Sequence, residues 1–405
     1  MKRLIKKTHF DNVNAMRFFA LFTIFFAHCF ITNNQQIKVA SLFLDLRQVS
    51  SNLNTAAYSF LFILTGFLNT WSIFEERFIY KTMNLLRFYM RRFLTLLPLY
   101  FVLFFIGNYI IQYIGFHSNL GSDHEISAIR YLTFSFNFNY LETWETDAII
   151  LGNMWSVAAL LQILVVWPIL MKIFRRNEGI MFILLGITFI VTAWYVNALP
   201  VSINKEGMAE YHPFIFNTIN VMFDFMIGSY IAYFSFFKYK TYGFLKKVSK
   251  RTIGFLYLGF LAYLIFRNRL LCDFGKEVSP LLLFLADKIL VSALAGFFLF
   301  EQNFCSNSVF KLAKIKFLSA TEKYMYGMYV MIPFGAYYGY KLISFFKSEE
   351  TLTMVLFAEP LLGFIITIVL AVLSYEFIEK SFLKMKKEYQ PTRDYAPNIA
   401  NDAKA

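Results

Sequence analysis

The first apolar stretch of the chain carries two residues able to do chemistry, Arg17 and His28, eleven positions apart. At 3.6 residues per turn this spacing is close to three turns. Both side chains then fall on one stripe of a helix, about 16 Å apart along its axis. An arginine offers a permanent cation whose forked donors grip phosphate or carboxylate. A histidine can take a proton from a hydroxyl near neutral pH. The pair therefore suits a polar passage through an apolar layer. The same spacing also suits an Arg17 that reaches to lipid headgroups and a His28 that only packs; spacing alone leaves both readings open. Arg87, Arg91 and Arg92 cluster ahead of a later apolar block. They read either as a basic anchor or, if folded near Arg17, as a further grip on an anionic group.

Other ionisable residues fall in apolar surroundings: Asp224, Asp287, Lys288, Glu376 and Glu379. A charge at mid-bilayer costs at least roughly 2.5 kcal/mol on insertion scales, so each needs a reason. Asp287 and Lys288 are expected to pair with each other or with neighbouring helices. Glu376 and Glu379 have Lys380 and Lys384 within pairing distance on a helix.

The elements that must position these groups are membrane helices. Of 405 residues, 58% are hydrophobic, 20% aromatic and only 16% charged, too few charges to cover a globular exterior in water. The apolar residues come in blocks near the length that crosses a hydrocarbon core. Ten can be marked, over 16–33, 54–73, 93–115, 148–170, 179–197, 214–236, 252–268, 279–300, 324–345 and 354–378. The fold class predicted is an all-α, polytopic helical membrane bundle of about ten transmembrane helices, with one domain over 1–380 and a polar tail over 381–405. The basic start Met1–Lys7 resembles the head of a signal peptide. However, Arg17 and His28 interrupt the apolar run and no clear small-residue cleavage site follows, so the segment reads as a retained first helix. With the N-terminus inside, 28 Lys and Arg fall on the cytoplasmic side and 9 in outer loops, which places both termini in the cytoplasm.

The net charge of +13 is dispersed in short clusters between apolar blocks, which argues against a nucleic-acid partner. Cys29, Cys272 and Cys305 form no metal-ligand spacing, and no metal site is expected. No hydrolase elbow, zinc-protease, phosphate-loop or dinucleotide motif is present.

Six segments in order resemble the acyltransferase 3 family of bacterial membrane acyltransferases. Arg17 followed by His28 resembles its opening. Phe62-Ile63-Leu64-Thr65-Gly66-Phe67-Leu68 is similar to its second-helix element. Arg91-Arg92 through Pro98-Leu99-Tyr100 matches the start of its third helix. Trp155-Ser156 through Gln162 and Trp167-Pro168, Tyr326-Gly327-Met328-Tyr329 with Pro333, and Phe377-Ile378-Glu379-Lys380 complete the series.

The resemblance implies a multi-pass protein of the bacterial inner membrane. Such a protein moves an acyl group, commonly acetyl, from cytoplasmic acyl-CoA to a hydroxyl of an extracytoplasmic glycan or lipid-linked glycan. Acyl-CoA is then a co-substrate and no cofactor is bound. Arg17, with Arg91 and Arg92, would hold the donor and His28 would be the general base. Trp155, Ser156, Tyr326, Tyr329 and Glu379 would shape or line the substrate cavity. The chain departs from the pattern at Leu160, Thr95 and Ile332, where the family places polar residues, and at Ser381, where it places proline. These replacements support a second reading: a non-catalytic or engineered relative that binds or conducts an acyl donor or lipid-linked glycan.

Overall fold

The structure, a computed structural model, describes residues 9–106, 128–138, 152–174, 177–198, 202–203, 209–210, 217–237, 248–274, 278–305, 307–346 and 350–389. The expected ends of the blocks at 107–115, 148–151 and 214–216 lie outside these residues, as does the tail beyond 389.

Each apolar block falls on a helix. In chain order these are α1 (Asp11–His28), a short α2 (Gln35–Lys38), α3 (Ser41–Tyr80), α4 (Leu85–Phe105), a short α5 (Ala128–Leu132), α6 (Met154–Ile173), α7 (Glu178–Ala198), α8 (Thr218–Phe237), α9 (Lys250–Phe274), α10 (Pro280–Phe304), a short α11 (Lys316–Ala320) and α12 (Met325–Phe346). The last rod runs over Met354–Tyr389. It comprises a π-helical turn Met354–Ala358, α13 (Glu359–Ser374), a second π turn Tyr375–Glu379, α14 (Lys380–Lys386) and a 3-10 turn. The 381–389 stretch assigned to a polar tail is thus helical. Among the described residues the only sheet is a two-residue antiparallel pair, with Ser202 opposite Glu210 and Ile203 opposite Ala209.

Seven of these helices are long and apolar enough to cross a membrane: α3, α4, α6, α8, α9, α10 and the last rod. The remaining three blocks lie on α1, α7 and α12. Helix α1 carries Asp11 and Arg17, α12 is rich in Tyr and Gly, and the apolar run of α7 covers Gly179–Tyr195.

The second block is the one whose length the apolar pattern most underestimates. α3 is 40 residues, about 60 Å at 1.5 Å per residue and roughly twice a hydrocarbon core. Its polar flanks stay helical where apolarity ends. At its far end Lys81 takes the left-handed conformation (φ 60°), and Asn84 caps α4 by accepting the Arg87 N–H at 3.0 Å. α4 therefore starts ahead of the arginine cluster, which lies within its first turns instead of before it.

The helix ends meet at two faces. On one, Asn12 donates to the Gln302 carbonyl (2.8 Å) and accepts the Ala313 N–H (2.8 Å), and Asn14 donates to Glu322 (2.9 Å). Phe10 packs edge-on against Trp71 and Phe304. This face gathers the start of α1 and the ends of α3 and α10. On the opposite face Thr32, Asn33 and Asn34, just past α1, bond to Glu350 and Tyr340 beyond and near the end of α12.

Lipid offers no hydrophobic drive between helices, so close backbone approach and polar ties must hold them. α3 and α8 approach through Gly66 and Gly228. A Cβ at Gly66 would sit 2.0 Å from the Phe225 carbonyl oxygen, and one at Gly228 would sit 1.9 Å from that of Ile63. The buried charges of α10 supply the ties. Asp287 and Lys288 do not pair with each other but with separate helices. Arg267 of α9 holds Asp287 through Nε and Nη2, at 2.7 and 2.5 Å. Lys288 binds Asp224 of α8 and donates to Ser59 of α3 (3.3 Å), while Ser292 donates to the other Asp224 oxygen at 2.6 Å. α9 packs on α3 and α10 and otherwise presents Phe255, Leu258 and Phe266 outward.

Two consequences can be measured by unfolding the purified protein in detergent. Gly228→Ala forces α8 off α3 and is expected to cost about 1–3 kcal/mol. Lys288→Met strands the Asp224 carboxylate and is expected to cost about 3–5 kcal/mol, part of which Asp224→Leu in the same chain recovers. Unchanged stability in either single variant would contradict the packing described.

Candidate active site

A polar stripe runs down α3. Tyr58, Thr65, Asn69, Ser72 and Glu75 follow one another at three-, four- or seven-residue steps and so share one face over about 25 Å. This stripe forms one wall of a cavity of about 760 Å³. α1 adds Asn14, Arg17 and Leu21, and α4 adds Arg92, Thr95 and Leu96. α6 adds Ser156, Leu160 and Leu164, α12 adds Tyr326 and Tyr329, and the last rod adds Glu379 and Lys386. His9, Glu322 and Lys323 stand at the face where α1 begins, which is where the cavity opens.

The deep end is made of hydroxyls. Ser156 and the Tyr329 hydroxyl share a short hydrogen bond, and the Tyr58 hydroxyl donates to Asn153 Oδ1 at 2.7 Å. Asn153, just before α6, also donates to the Tyr329 carbonyl (2.8 Å), and Ser156 Oγ lies 2.9 Å from the Asn153 carbonyl. One buried asparagine thus fixes three elements around the floor. Trp155 is not a lining residue; its buried ring stands 5.1 Å behind Tyr58 and braces it. Tyr326 lines the wall with its hydroxyl donated to the Leu96 carbonyl at 2.7 Å.

The three arginines expected to work together separate. Arg91 is buried outside the cavity, 2.6 Å from Glu76 and 3.1 Å from the Tyr389 carbonyl, and so ties α4 to α3 and to the final turn. Arg17 and Arg92 both face the cavity. Arg17 forms no hydrogen bond or ion pair among the described residues, although the Glu322 charge reaches it. Arg92 has its guanidinium 5.5 Å from the centre of the Phe88 ring and a buried Nε without a partner. Their charges act on each other, so the cavity holds two adjacent guanidiniums free to take an anion.

His28 lies elsewhere. The α1 stripe that begins at Asn14 and Arg17 follows the cavity as far as Leu21, after which Ile24 is fully buried. His28 is half-buried a further turn on, its Nδ1 2.8 Å from the Ile24 carbonyl. A carbonyl only accepts, so in the neutral ring Nδ1 carries the proton and Nε2 presents its lone pair, the form a base requires.

The two acids at the end of the last rod also part. Glu376 pairs with Lys380 on the exposed side, whereas Glu379 turns into the cavity and accepts from Ser374 at 3.0 Å. Of the departures noted in the sequence, Leu160 and Thr95 face the cavity and Ile332 is packed in the core. Gln162 lies outside the cavity and fastens Phe134 and Asn137 to α6. Tyr58, Asn153 and the polar stripe of α3 were not singled out from the sequence. The signal for Tyr58 and the stripe was the three-, four- and seven-residue spacing of polar residues in an apolar helix; Asn153, just before α6, had none. Among the described residues no group of three or more His, Cys, Asp and Glu side chains is placed to share a metal ion.

The described helices thus surround a cavity that combines two guanidiniums with a floor of hydroxyls. The acyltransferase 3 profile, described as an acyltransferase domain, matches residues 10–376, and the chain belongs to that family. Membership implies a membrane acyltransferase. No curated protein and no solved structure matches the chain.

The shape of the cavity sets an accessibility pattern. With the native cysteines replaced by serine, Ser72→Cys is expected to react readily with a membrane-impermeant maleimide applied at the face where α1 begins. His28→Cys is expected to resist the reagent from that face. Equal labelling, read by mass shift in oriented vesicles, would refute the closed floor.

Proposed function

We propose that the protein transfers an acyl group, acetyl in the simplest case, from acyl-CoA to a hydroxyl of a glycan or lipid-linked glycan. The observation that carries this reading is the pair Arg17 and Arg92: two guanidiniums in one cavity that form no ion pair among the described residues, next to a wall of hydroxyls. In a bilayer such cations are costly unless they serve an anion, and the phosphates of coenzyme A provide one. The loop charges favour ten spans with both termini inside, and the family favours a bacterial inner membrane. The cavity then opens to the cytoplasm, where acyl-CoA is found.

In this scheme Arg17 and Arg92 hold the donor phosphates and Lys323 and Lys386 draw them to the mouth. Glu379 accepts from donor hydroxyl or amino groups. The acyl arm extends along α1 towards His28, about 16 Å from Arg17, a span that an extended pantetheine arm bridges. Ser156 and Tyr329 hydrogen-bond the thioester carbonyl as the arm passes. His28 Nε2 takes the proton of the acceptor hydroxyl as its oxygen attacks the thioester carbon. The C–S bond breaks, and coenzyme A leaves as the thiol after receiving a proton. The floor held by Tyr58 and Tyr329 and the packing around Ile24 must both open for the arm to reach His28.

The second reading, a relative that binds the donor without transferring the acyl group, draws on Leu160 at the cavity wall and on the packed turn between Leu21 and His28. The two are separated with purified protein in lipid nanodiscs. Arg17→Ala and Arg92→Ala are each expected to weaken acyl-CoA binding roughly tenfold or more, as loss of a charged hydrogen bond does. His28→Ala is expected to leave binding intact and lower transfer by about 10²–10⁴-fold. Binding without transfer in the wild-type protein would favour the second reading. A folded protein that binds no acyl-CoA, in a host whose surface glycans are unchanged by deletion, would remove both.

A further inference from the structure

A second polar cluster lies on the face opposite the cavity mouth, where the loop after α1 meets the end of α12 and the start of the last rod. Glu350 Oε2 accepts from Thr32 Oγ1 at 2.7 Å and from the Asn34 N–H at 3.3 Å, while its buried Oε1 has no hydrogen-bond partner. The Asn34 side chain donates to the Glu350 carbonyl (3.3 Å), and Asn33 donates to the Tyr340 hydroxyl (2.8 Å). Glu359 packs its backbone carbonyl against Gly339, the neighbour of Tyr340; it is 3% exposed, and neither of its carboxylate oxygens has a hydrogen-bond partner.

The placement of Glu359 is built in. The π turn Met354–Ala358 directly precedes it, and Val355 on that turn packs against Ile37 and Phe43, so this side of the rod faces the α1–α3 connection. The Glu359 charge acts on Cys29 and Tyr340 and interacts with that of Glu350, which puts the two carboxylates within electrostatic reach. No lysine or arginine among the described residues pairs with either acid.

Glu359 departs from the practice of the rest of the chain. The other buried acids, Glu76, Asp224, Asp287, Glu301 and Glu379, each accept at least one side-chain hydrogen bond. A buried carboxylate within electrostatic reach of a second one, with no donor and no cation among the described residues, is unfavourable unless something compensates it. The polar atoms of this cluster that lack a hydrogen-bond partner are oxygens, Glu359 Oε1 and Oε2 and Glu350 Oε1, and Asn33 and the Tyr340 hydroxyl bring further oxygens to the same face. The thiol of Cys29 is already donated to the Phe25 carbonyl at 3.2 Å. Two negative charges and hard oxygen donors suit a divalent cation of the calcium type and not a soft metal.

We propose that Glu359 and Glu350, with the Asn33 and Tyr340 oxygens, bind one such cation. The ion joins the loop after α1 to α12 and the last rod. The site does not depend on the acyl-transfer reading, and in the orientation proposed above it faces outward.

The test is thermal unfolding of the detergent-purified, EGTA-treated protein during titration with CaCl2, followed by tryptophan fluorescence, with bound calcium counted by equilibrium dialysis. The expected result is a saturable rise in unfolding temperature, with a midpoint of about 10⁻⁴–10⁻³ M and about one ion per chain. MgCl2, which demands stricter geometry, is expected to act more weakly. Glu359→Gln should lose the rise, and Glu350→Gln should shift its midpoint by roughly tenfold or more. Both variants should unfold no earlier than wild type without calcium, because a buried charge has been removed. If Glu359→Gln does not fold, Glu350→Gln carries the test with the dialysis count. The proposal is overturned by no calcium response, by an undiminished response in both variants, or by an equal response to NaCl at matched ionic strength. It is also overturned if acidification alone replaces the calcium response, which would show a proton shared between the two carboxylates.

Discussion

A charge inside a bilayer must be answered by an opposite charge, a hydrogen bond or a ligand, because no water is there to answer it. Much of this bundle is arranged around that demand. Asp224 meets Lys288 and Ser292, Asp287 meets Arg267, and Glu76 meets Arg91. Each tie crosses from one helix to another, so satisfying the charges also fixes the neighbours of α3. Against this background of matched charges Arg17 and Arg92 stand apart. That neither forms an ion pair among the described residues carries weight because the paired charges around them show what a structural charge looks like in this chain.

The cavity exists because α3 is asymmetric about its own axis. Gly66 and the polar ties bring α8 and α10 close, whereas the stripe from Tyr58 to Glu75 faces α1, α4, α6 and α12 across open space. Aromatic bulk behind that stripe keeps it in place. Trp155 supports Tyr58, and Trp167 donates its indole N–H to Thr70 at 3.0 Å. Packing on one side and chemistry on the other thus meet on a single helix. The residues that close the floor are also those that hold α6 and α12 together.

The apolar blocks were legible in the sequence because hydropathy reports what touches lipid. Polar helix ends were not, which is why α3 and α4 begin well before their blocks and the last rod outruns its own. The first-helix pair was legible as a stripe. Arg17 keeps the environment this suggested, whereas Ile24 and its neighbours close the stripe before His28, a packing outcome that depends on α3 and α12 and not on α1 alone. Arg91 and Arg92 look equivalent in sequence, yet neighbouring positions on a helix point about 100° apart. One therefore reaches Glu76 and the other the cavity. Tyr58 and Asn153 escaped notice because their roles arise from partners far away in the chain.

The length of α3 has a mechanical consequence. An unbroken rod of about 60 Å moves as one body, and a tilt of about 5° about its middle displaces its two ends by roughly 2.5 Å in opposite directions. One end carries Glu75 and Glu76, beside the mouth; the other carries Phe43, packed under Val355 near the carboxylate cluster. The two faces of the protein therefore share a lever. Any event that tips the rod at one surface is felt at the other without a signal having to pass through the lipid-facing helices between them.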